Sequence, residues 1–213
     1  MEKKITGLEA QKNNPDRLNV FLDDEFAFGI SRFVGAWLHV GDFLTEDEIA
    51  QMVSGDEREK AFQKALHFIN YQARSANEVR EKLEGLGFSE QIIEDVLSEC
   101  LEKNYINDRQ FAEDWIAARS LSKPRSQKML GYELRKKQID ESVISRALES
   151  APTDEEMAHA LGQKYLPRFT HLDDTHFKQK MEGMLARRAF PFSVIKEEIR
   201  ILLEMKNNKE RMR

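Results

Sequence analysis

The stretch that decides the fold runs from Val79 to Leu97, Val-Arg-Glu-Lys-Leu-Glu-Gly-Leu-Gly-Phe-Ser-Glu-Gln-Ile-Ile-Glu-Asp-Val-Leu, because its apolar skeleton returns twice at a fixed interval of 51 residues. Val79, Leu83, Phe88, Ile92, Ile93 and Leu97 are answered by Leu130, Leu134, Ile139, Val143, Ile144 and Leu148, and again by Met181, Leu185, Phe190, Val194, Ile195 and Ile199. All eighteen positions are apolar in a chain whose hydrophobic content is 40%, so chance does not account for the match and the chain carries an internal repeat. Within a copy the spacing is helical: Val79 and Leu83 stand four apart, a short break holds Phe88, and Ile92, Ile93 and Leu97 restart a 3.6-residue period. Each copy therefore reads as helix, tight turn, helix, with these residues in the core.

Working outward, a further helix precedes every copy: Ala61 to Tyr71, Phe111 to Arg119 and Glu155 to Tyr165. The unit is thus three helices. Ala61 and Ala112 keep the 51-residue interval, while the longer connection Pro167-Arg-Phe-Thr-His-Leu-Asp-Asp-Thr lets the third leading helix drift. Asn107 or Asp108 and Thr153 supply caps for the second and third leading helices. Connectors this short and this poor in Gly and Ser favour units stacked in an elongated, curved array.

Ahead of the repeats, residues 1–30 look extended. Ile5 to Gln11, Arg17 to Leu22 and Phe26 to Ile30 are period-two or aromatic-rich runs, separated by Asn13-Asn14-Pro15-Asp16 and Asp23-Asp24-Glu25. They predict a three-stranded antiparallel meander with a hairpin at Asp23-Asp24, its Leu18, Val20, Leu22, Phe26, Phe28 and Ile30 laid on the first helices. From Ser31 the stripe Phe33, Val34, Trp37 and Leu38 reads as a helix ended by Gly41-Asp42. Thr45 to Glu48 forms a capping box for a short helix through Met52, Ser54 to Glu57 a second box for a longer one, and Ser75 to Glu78 a third that opens the first motif. The expected class is mainly α: tandem three-helix repeats over 54–104, 105–151 and 152–205, a small N-terminal β-meander within an extension of residues 1–53, and a polar tail over 206–213 that frays.

Composition narrows the function. Cys100 is the single cysteine, set beside Val96, Leu97 and Leu101 as a buried, reduced thiol, so no disulfide framework exists within the chain. No apolar run approaches the roughly 18 residues that span a bilayer, and the N-terminal Met-Glu-Lys-Lys-Ile-Thr lacks a secretory apolar segment, which points to the cytoplasm. The sequence has no P-loop, dinucleotide fingerprint, nucleophile elbow, zinc-protease motif or paired-cysteine spacing, which argues against an enzyme and against a cofactor. His171, Asp173, Asp174 and His176 crowd one polar connector with a spacing that fits no common metal site.

Charge distribution is more telling than the net −5. Residues 1–60 sum to −6, 61–118 to −5, 119–150 to +4 and 151–213 to +2. The run from Arg119 to Lys137 holds seven basic residues (Arg119, Lys123, Arg125, Lys128, Arg135, Lys136 and Lys137) around one acid, and the 51-residue offset places Arg187 and Arg188 on Lys136 and Lys137. The first copy has Gly85 and Leu86 there. Two adjacent copies thus present cations at one structural position, a strip suited to phosphates or to an acidic protein surface.

Tyr105-Ile-Asn-Asp-Arg-Gln-Phe-Ala, Arg74-Ser-Ala-Asn-Glu-Val-Arg-Glu-Lys-Leu with Gly87-Phe88, and Ile5-Thr with Val20-Phe-Leu-Asp together resemble the RecX family of bacterial regulatory proteins, and the likeness covers nearly the whole chain. The resemblance implies a non-enzymatic protein of tandem three-helix repeats. It would bind the RecA recombinase in the groove of its filament on single-stranded DNA and damp ATP hydrolysis and strand exchange in DNA repair and the SOS response. It carries over no set of binding residues. The nine cations Arg119, Lys123, Arg125, Lys128, Arg135, Lys136, Lys137, Arg187 and Arg188 are candidate partner or DNA contacts on charge placement alone, and the protein is expected to act as a monomer. A sequence-specific DNA-binding regulator built of helix-turn-helix units is the alternative, and it requires a basic reading helix. The motif helix from Ser89 to Cys100 is instead acidic.

Overall fold

A computed structural model describes residues 2–211. Strands β1 (Glu2–Gln11), β2 (Asn14–Leu22), β3 (Glu25–Ser31) and β4 (Phe43–Thr45) are followed by α1 (Glu46–Tyr71), α2 (Ala76–Glu84), α3 (Glu90–Glu102), α4 (Asp108–Ser122), α5 (Gln127–Lys136), α6 (Glu141–Glu149), α7 (Asp154–Phe169), α8 (Asp174–Ala186) and α9 (Phe192–Arg211). The fold is mainly α, with tandem three-helix repeats behind an N-terminal antiparallel sheet. The chain forms two compact units, Met1–Ala73 with Glu78–Ile106 and Arg74–Asn77 with Asn107–Arg213.

In the first unit the meander gains a fourth strand. The sheet order is β3-β2-β1-β4, all antiparallel, with Leu8 opposite Val20, Val20 opposite Phe28, and Lys3 opposite Leu44. Asp23 and Asp24 turn the hairpin with φ of 50° and 71°, left-handed values that short polar side chains accept. Ile5, Val20, Leu22, Ile30, Leu38, Leu44 and Met52 form its core, whereas Phe26 points outward at 60% exposure. The stretch after Ser31 is a series of turns, not the expected helix: Val34 and Leu38 pack inward, but Phe33 and Trp37 are 83% and 54% exposed. Tertiary pairing decides this, because Ile5 exchanges backbone hydrogen bonds with Gly41 and Asp42 and so draws the chain back to lay β4 beside β1. A Cβ at Gly35 would come within 2.9 Å of Ile30 Cδ1, so a larger residue there would have to displace the end of the buried Ile30 side chain.

Helix α1 starts at the expected Thr45 capping box, yet it runs unbroken through Ser54 and Gly55 where a second start was expected. Asp56 explains the difference, since its carboxylate serves the sheet: it accepts from the Ser31 N–H at 2.7 Å and from Arg17 at 2.8 and 3.2 Å, and Lys60 lies 2.7 Å away. Burial works against ionisation of Asp56, but the hydrogen bonds from Arg17, Lys60 and Ser31 prevail and hold its carboxyl below the usual range. Helices α1 and α3 pack together, with Phe62 against Tyr105 at 6.3 Å and Arg58 paired to Glu99. Cys100 is buried on α3, and burial pushes its thiol up to about 11.

The eighteen repeat positions lie inside. Fourteen are buried, and Phe88, Val143, Leu148 and Ile199 are half-buried. In the second unit α4 packs on α6 and α7 on α9, and one apolar core runs from Phe111 through Leu134, Ile144 and Leu161 to Leu185 and Leu202. The three intra-motif turns share one backbone. Phe88, Ile139 and Phe190 donate to the carbonyls of Leu83, Leu134 and Leu185, while Gly87, Gln138 and Ala189 donate to those of Glu84, Arg135 and Ala186. Both bonds together define the Schellman end of a helix, and its left-handed residue is Gly87 at φ 85°, Gln138 at 54° and Ala189 at 59°. Two further departures concern the third repeat. Helix α7 continues through Pro167 to Phe169, where a loop was expected, and α9 carries the expected tail as helix to Arg211. Lys206 is buried there against Asp174 at 2.9 Å, and Met212 and Arg213 lie outside the described residues.

Candidate functional site

A repeated junction builds the site. Ser75, at the start of α2, donates its hydroxyl to the Lys137 carbonyl at 3.3 Å, and the Ala76 N–H donates to Asp108 Oδ1 at 2.9 Å. One period on, the Ser126 N–H donates to the Arg188 carbonyl at 3.1 Å and the Gln127 N–H to Asp154 Oδ1 at 2.7 Å. Each time, the turn of one motif is held against the helix start of the preceding one, and an acid from the intervening leading helix satisfies an orphan N–H. This is why residues 74–77 belong to the second unit. It also brings the basic turn at Arg187-Arg188 against Arg125 and Ser126, two stretches that lie some sixty residues apart in the chain.

The nine cations fall into distinct settings. Arg119, in the last turn of α4, lies 4.3 Å over the Trp115 ring and donates to Glu133 Oε2 at 3.1 Å. Lys137 sits 4.7 Å from the same indole and 5.5 Å from Phe111, and Trp115 and Phe111 stack at 5.9 Å. The Trp115 indole N–H donates to Glu133 at 2.9 Å, and Arg125 is paired to the same carboxylate. Arg188 donates to the Met184 carbonyl at 2.9 Å and lies 5.7 Å from the Tyr165 ring. Lys136 lies 5.1 Å over the half-exposed Tyr132. Arg135 is engaged elsewhere: it forks onto Glu141 at 2.6 and 2.8 Å, and that pairing raises its basicity. Lys123, Lys128 and Arg187 are exposed and form no ion pair among the described residues.

Four cations therefore gather and the rest do not. Arg125, Arg187 and Arg188 line a cleft of about 290 Å³ with Met129, and Arg119 joins them through Glu133. Burial, and then the like charges of Arg119 and Arg188, lower the basicity of Arg125. One carboxylate thus answers a cluster whose positive charge exceeds it. Charge counting missed Glu133, Trp115, Ser126 and Met129. Trp115 and Arg119 at i and i+4 on one helix face, and Glu133 as the single acid between Arg119 and Lys137, were signals in the sequence that could have found two of them.

His176 contacts Asp173 at 2.5 Å as part of the α8 cap, and among the described residues no group of three or more His, Cys, Asp or Glu side chains is placed to hold a metal. Among them, too, no helix is long and apolar enough to cross a membrane.

Family models match along the chain. The regulatory protein RecX N-terminal domain matches residues 3–44, and the first, second and third three-helix domains of RecX match 61–100, 107–148 and 153–199. The chain is 33% identical to regulatory protein RecX of Bacillus licheniformis over 195 residues, 90% of this chain and 74% of that protein, and 32% identical to that of Bacillus subtilis over the same shares. These relatives are named as regulatory proteins, not as enzymes. A crystal structure of regulatory protein RecX superposes with a TM-score of 0.70 at 28% identity, covering 91% of this chain and 97% of the other. RecX from Lactobacillus salivarius gives 0.61 at 26% identity, covering 70% of this chain and 97% of the other.

Proposed function

The chain belongs to the RecX family of regulatory proteins, and from that premise we propose that it binds the filament which the RecA recombinase forms on single-stranded DNA and lowers its ATP hydrolysis and strand exchange in DNA repair and the SOS response. The observation that supports this reading is the cationic surface of the second unit, where Arg125, Arg187 and Arg188 line one cleft and Arg119 joins them through the shared carboxylate of Glu133. A protein filament wrapped on DNA offers both acidic side chains and phosphates to such a surface. Because the second and third repeats share one core and are latched at Ser126 and Gln127, a filament that engages both holds a stiff body. A stiff body seated across neighbouring protomers binds one filament conformation better than another and so slows the rearrangements of turnover.

The same reading makes the protein a monomer in the cytoplasm without a cofactor, with its repeats divided at 54–104, 105–151 and 152–205. A helix-turn-helix regulator is the weaker account, because α3 carries five acids and no base between Glu90 and Glu102. The test is single-stranded-DNA-dependent RecA ATPase with the purified protein added. Turnover is expected to fall as the protein saturates the filament, and unchanged turnover at several-fold excess over filament sites contradicts the proposal.

A further inference from the structure

We infer that the groove between α8 and α9 docks an amphipathic helix of a partner protein, one whose first turn is acidic. The inference does not depend on the filament reading, and it uses none of the nine cations named above.

The groove holds about 610 Å³. Phe192, Ile195, Ile199 and Leu203 line it from α9, and Lys178 and Glu182 line it from α8. Steps of three, four and four residues put the α9 set on one helix face, and the row runs about 16 Å along the axis, the length of three helical turns. Phe192 is 73% exposed, and Ile199 and Leu203 are half-buried, so this apolar row is left partly open to water.

The repeat shows that the fold does not require such a row. Phe192 stands where the other copies have Glu90 and Glu141, which open their helices and suit the positive end of the helix dipole. The first turn of α9 has no acid. Lys196 stands in place of Glu94 and Ser145, and Lys178 in place of Ala76 and Gln127. At one groove, then, the third copy has an exposed phenyl ring and cations where the other copies have acids or neutral residues.

The first two copies show what sits at this place. The Ala76 N–H donates to Asp108 at 2.9 Å and the Gln127 N–H to Asp154 at 2.7 Å, each acid being the first residue of the next leading helix. Gln127 also donates its amide to the Pro152 carbonyl at 3.2 Å, so the chain folds back across the end of that groove. In the third copy α9 continues through Leu203, the position of Pro152, and among the described residues no following helix start covers that end. Helix α8 starts four residues before Lys178, so the backbone N–H there is inside the helix and the ammonium is the donor that remains for an acid. Lys178 and Lys196 are exposed and form no ion pair among the described residues, while Glu197 is held by Arg200 and Glu182 is the one other acid of the groove. Two ammonium groups beside an apolar row fit a helix with carboxylates in its first turn and an apolar face beyond.

The experiment is fluorescence anisotropy of a labelled synthetic peptide, Asn107–Ser122, titrated with the full chain. The peptide is α4 with its cap: Asp108 lies in its first turn, and Phe111, Ala112, Trp115 and Ile116 form its apolar face. Saturable binding is expected. Phe192→Glu restores the residue that both other copies carry and leaves the core alone, and it is expected to weaken binding roughly tenfold or more, because a phenyl ring that the peptide would bury is replaced by a charge. Lys178→Ala/Lys196→Ala is expected to weaken binding several-fold and to make it indifferent to Asp108→Asn in the peptide, a change that weakens binding to the parent chain by a similar factor. Lys82→Ala, which removes an exposed cation of α2, is expected to leave binding unchanged. Binding that does not saturate, or parent-like binding by Phe192→Glu, overturns the inference. So does a concentration-dependent dimer of the parent chain that Phe192→Glu disperses in sedimentation velocity, since the groove then meets a second copy.

Discussion

The turn at Glu84–Phe88 and the turn at Arg135–Ile139 have one backbone and opposite surfaces. Both end a helix with the same pair of hydrogen bonds, bury a leucine and place the residue four positions after it in the left-handed region. The first presents Gly85 and Leu86, and the second presents Lys136 and Lys137, followed one period later by Arg187 and Arg188. The comparison separates two jobs within one motif. Apolar positions and turn geometry make the repeat, and the side chains left over in the turn distinguish what each copy meets.

If that separation holds, damage to the shared skeleton must hurt neutral and basic copies alike. Leu83→Ala and Leu134→Ala, both fully buried, are each expected to lower stability by about 3 kcal/mol in chemical denaturation. A loss confined to one copy would mean that the copies are not equivalent in packing. The first unit adds a feature the basic copies lack, the buried Asp56 carboxylate among Arg17, Lys60 and Ser31. Asp56→Ala leaves Arg17 without its carboxylate and is expected to cost about 3 kcal/mol at neutral pH. Because the folded carboxyl titrates below its ordinary value, its contribution is present above the ordinary carboxylate range, and it is lost as pH falls through that range to the lower folded value. Denaturation of Asp56→Asn should therefore show a shallower loss of stability in acid than the parent chain.

The junctions sharpen the comparison at a smaller scale. Asp108→Ala and Asp154→Ala each remove an acceptor from a helix-start N–H and are expected to cost about 1 kcal/mol apiece. Equal values would confirm that both junctions use the same latch. Smallest of all is the left-handed residue: Gln138→Gly and Ala189→Gly relieve a side chain at positive φ, and Gly87→Ala imposes one. The first two are expected to gain, and the third to lose, about 0.5 to 1 kcal/mol by thermal denaturation, the steric relief being partly offset by the freer unfolded glycine.

These residues also show what a sequence alone reveals. The repeat skeleton, the Thr45 capping box, the Thr153 cap and a cap at Asn107 or Asp108 were legible because each depends on neighbours within a helical turn or two, while the structure adds the reciprocal Glu156 bond at Thr153 and selects Asn107. The segment from Ser31 to Val40 was misread because its stripe is helical by spacing, while its conformation is set by pairing with Ile5 far back in the chain. Ser54 to Glu57 failed as a helix start for a similar reason: Asp56 is taken by the sheet and the helix runs through. In the site, the charge excess could be counted, but its division could not. Arg135 is held by Glu141 on the following helix, and only the folded junction places Arg188 beside Ser126.

The central claim, that unpaired cations of the basic copies carry recognition while the skeleton carries only shape, is tested most directly by Lys123→Ala/Lys128→Ala/Arg187→Ala in one chain. Its unfolding midpoint should match that of the parent, since none of the three is buried or ion-paired among the described residues. In the single-stranded-DNA-dependent RecA ATPase the triple variant should need roughly tenfold or more protein for the same inhibition, in keeping with the loss of up to three phosphate or carboxylate contacts. An inhibition curve that overlays the parent's, from a variant folded as well as the parent, would contradict the account.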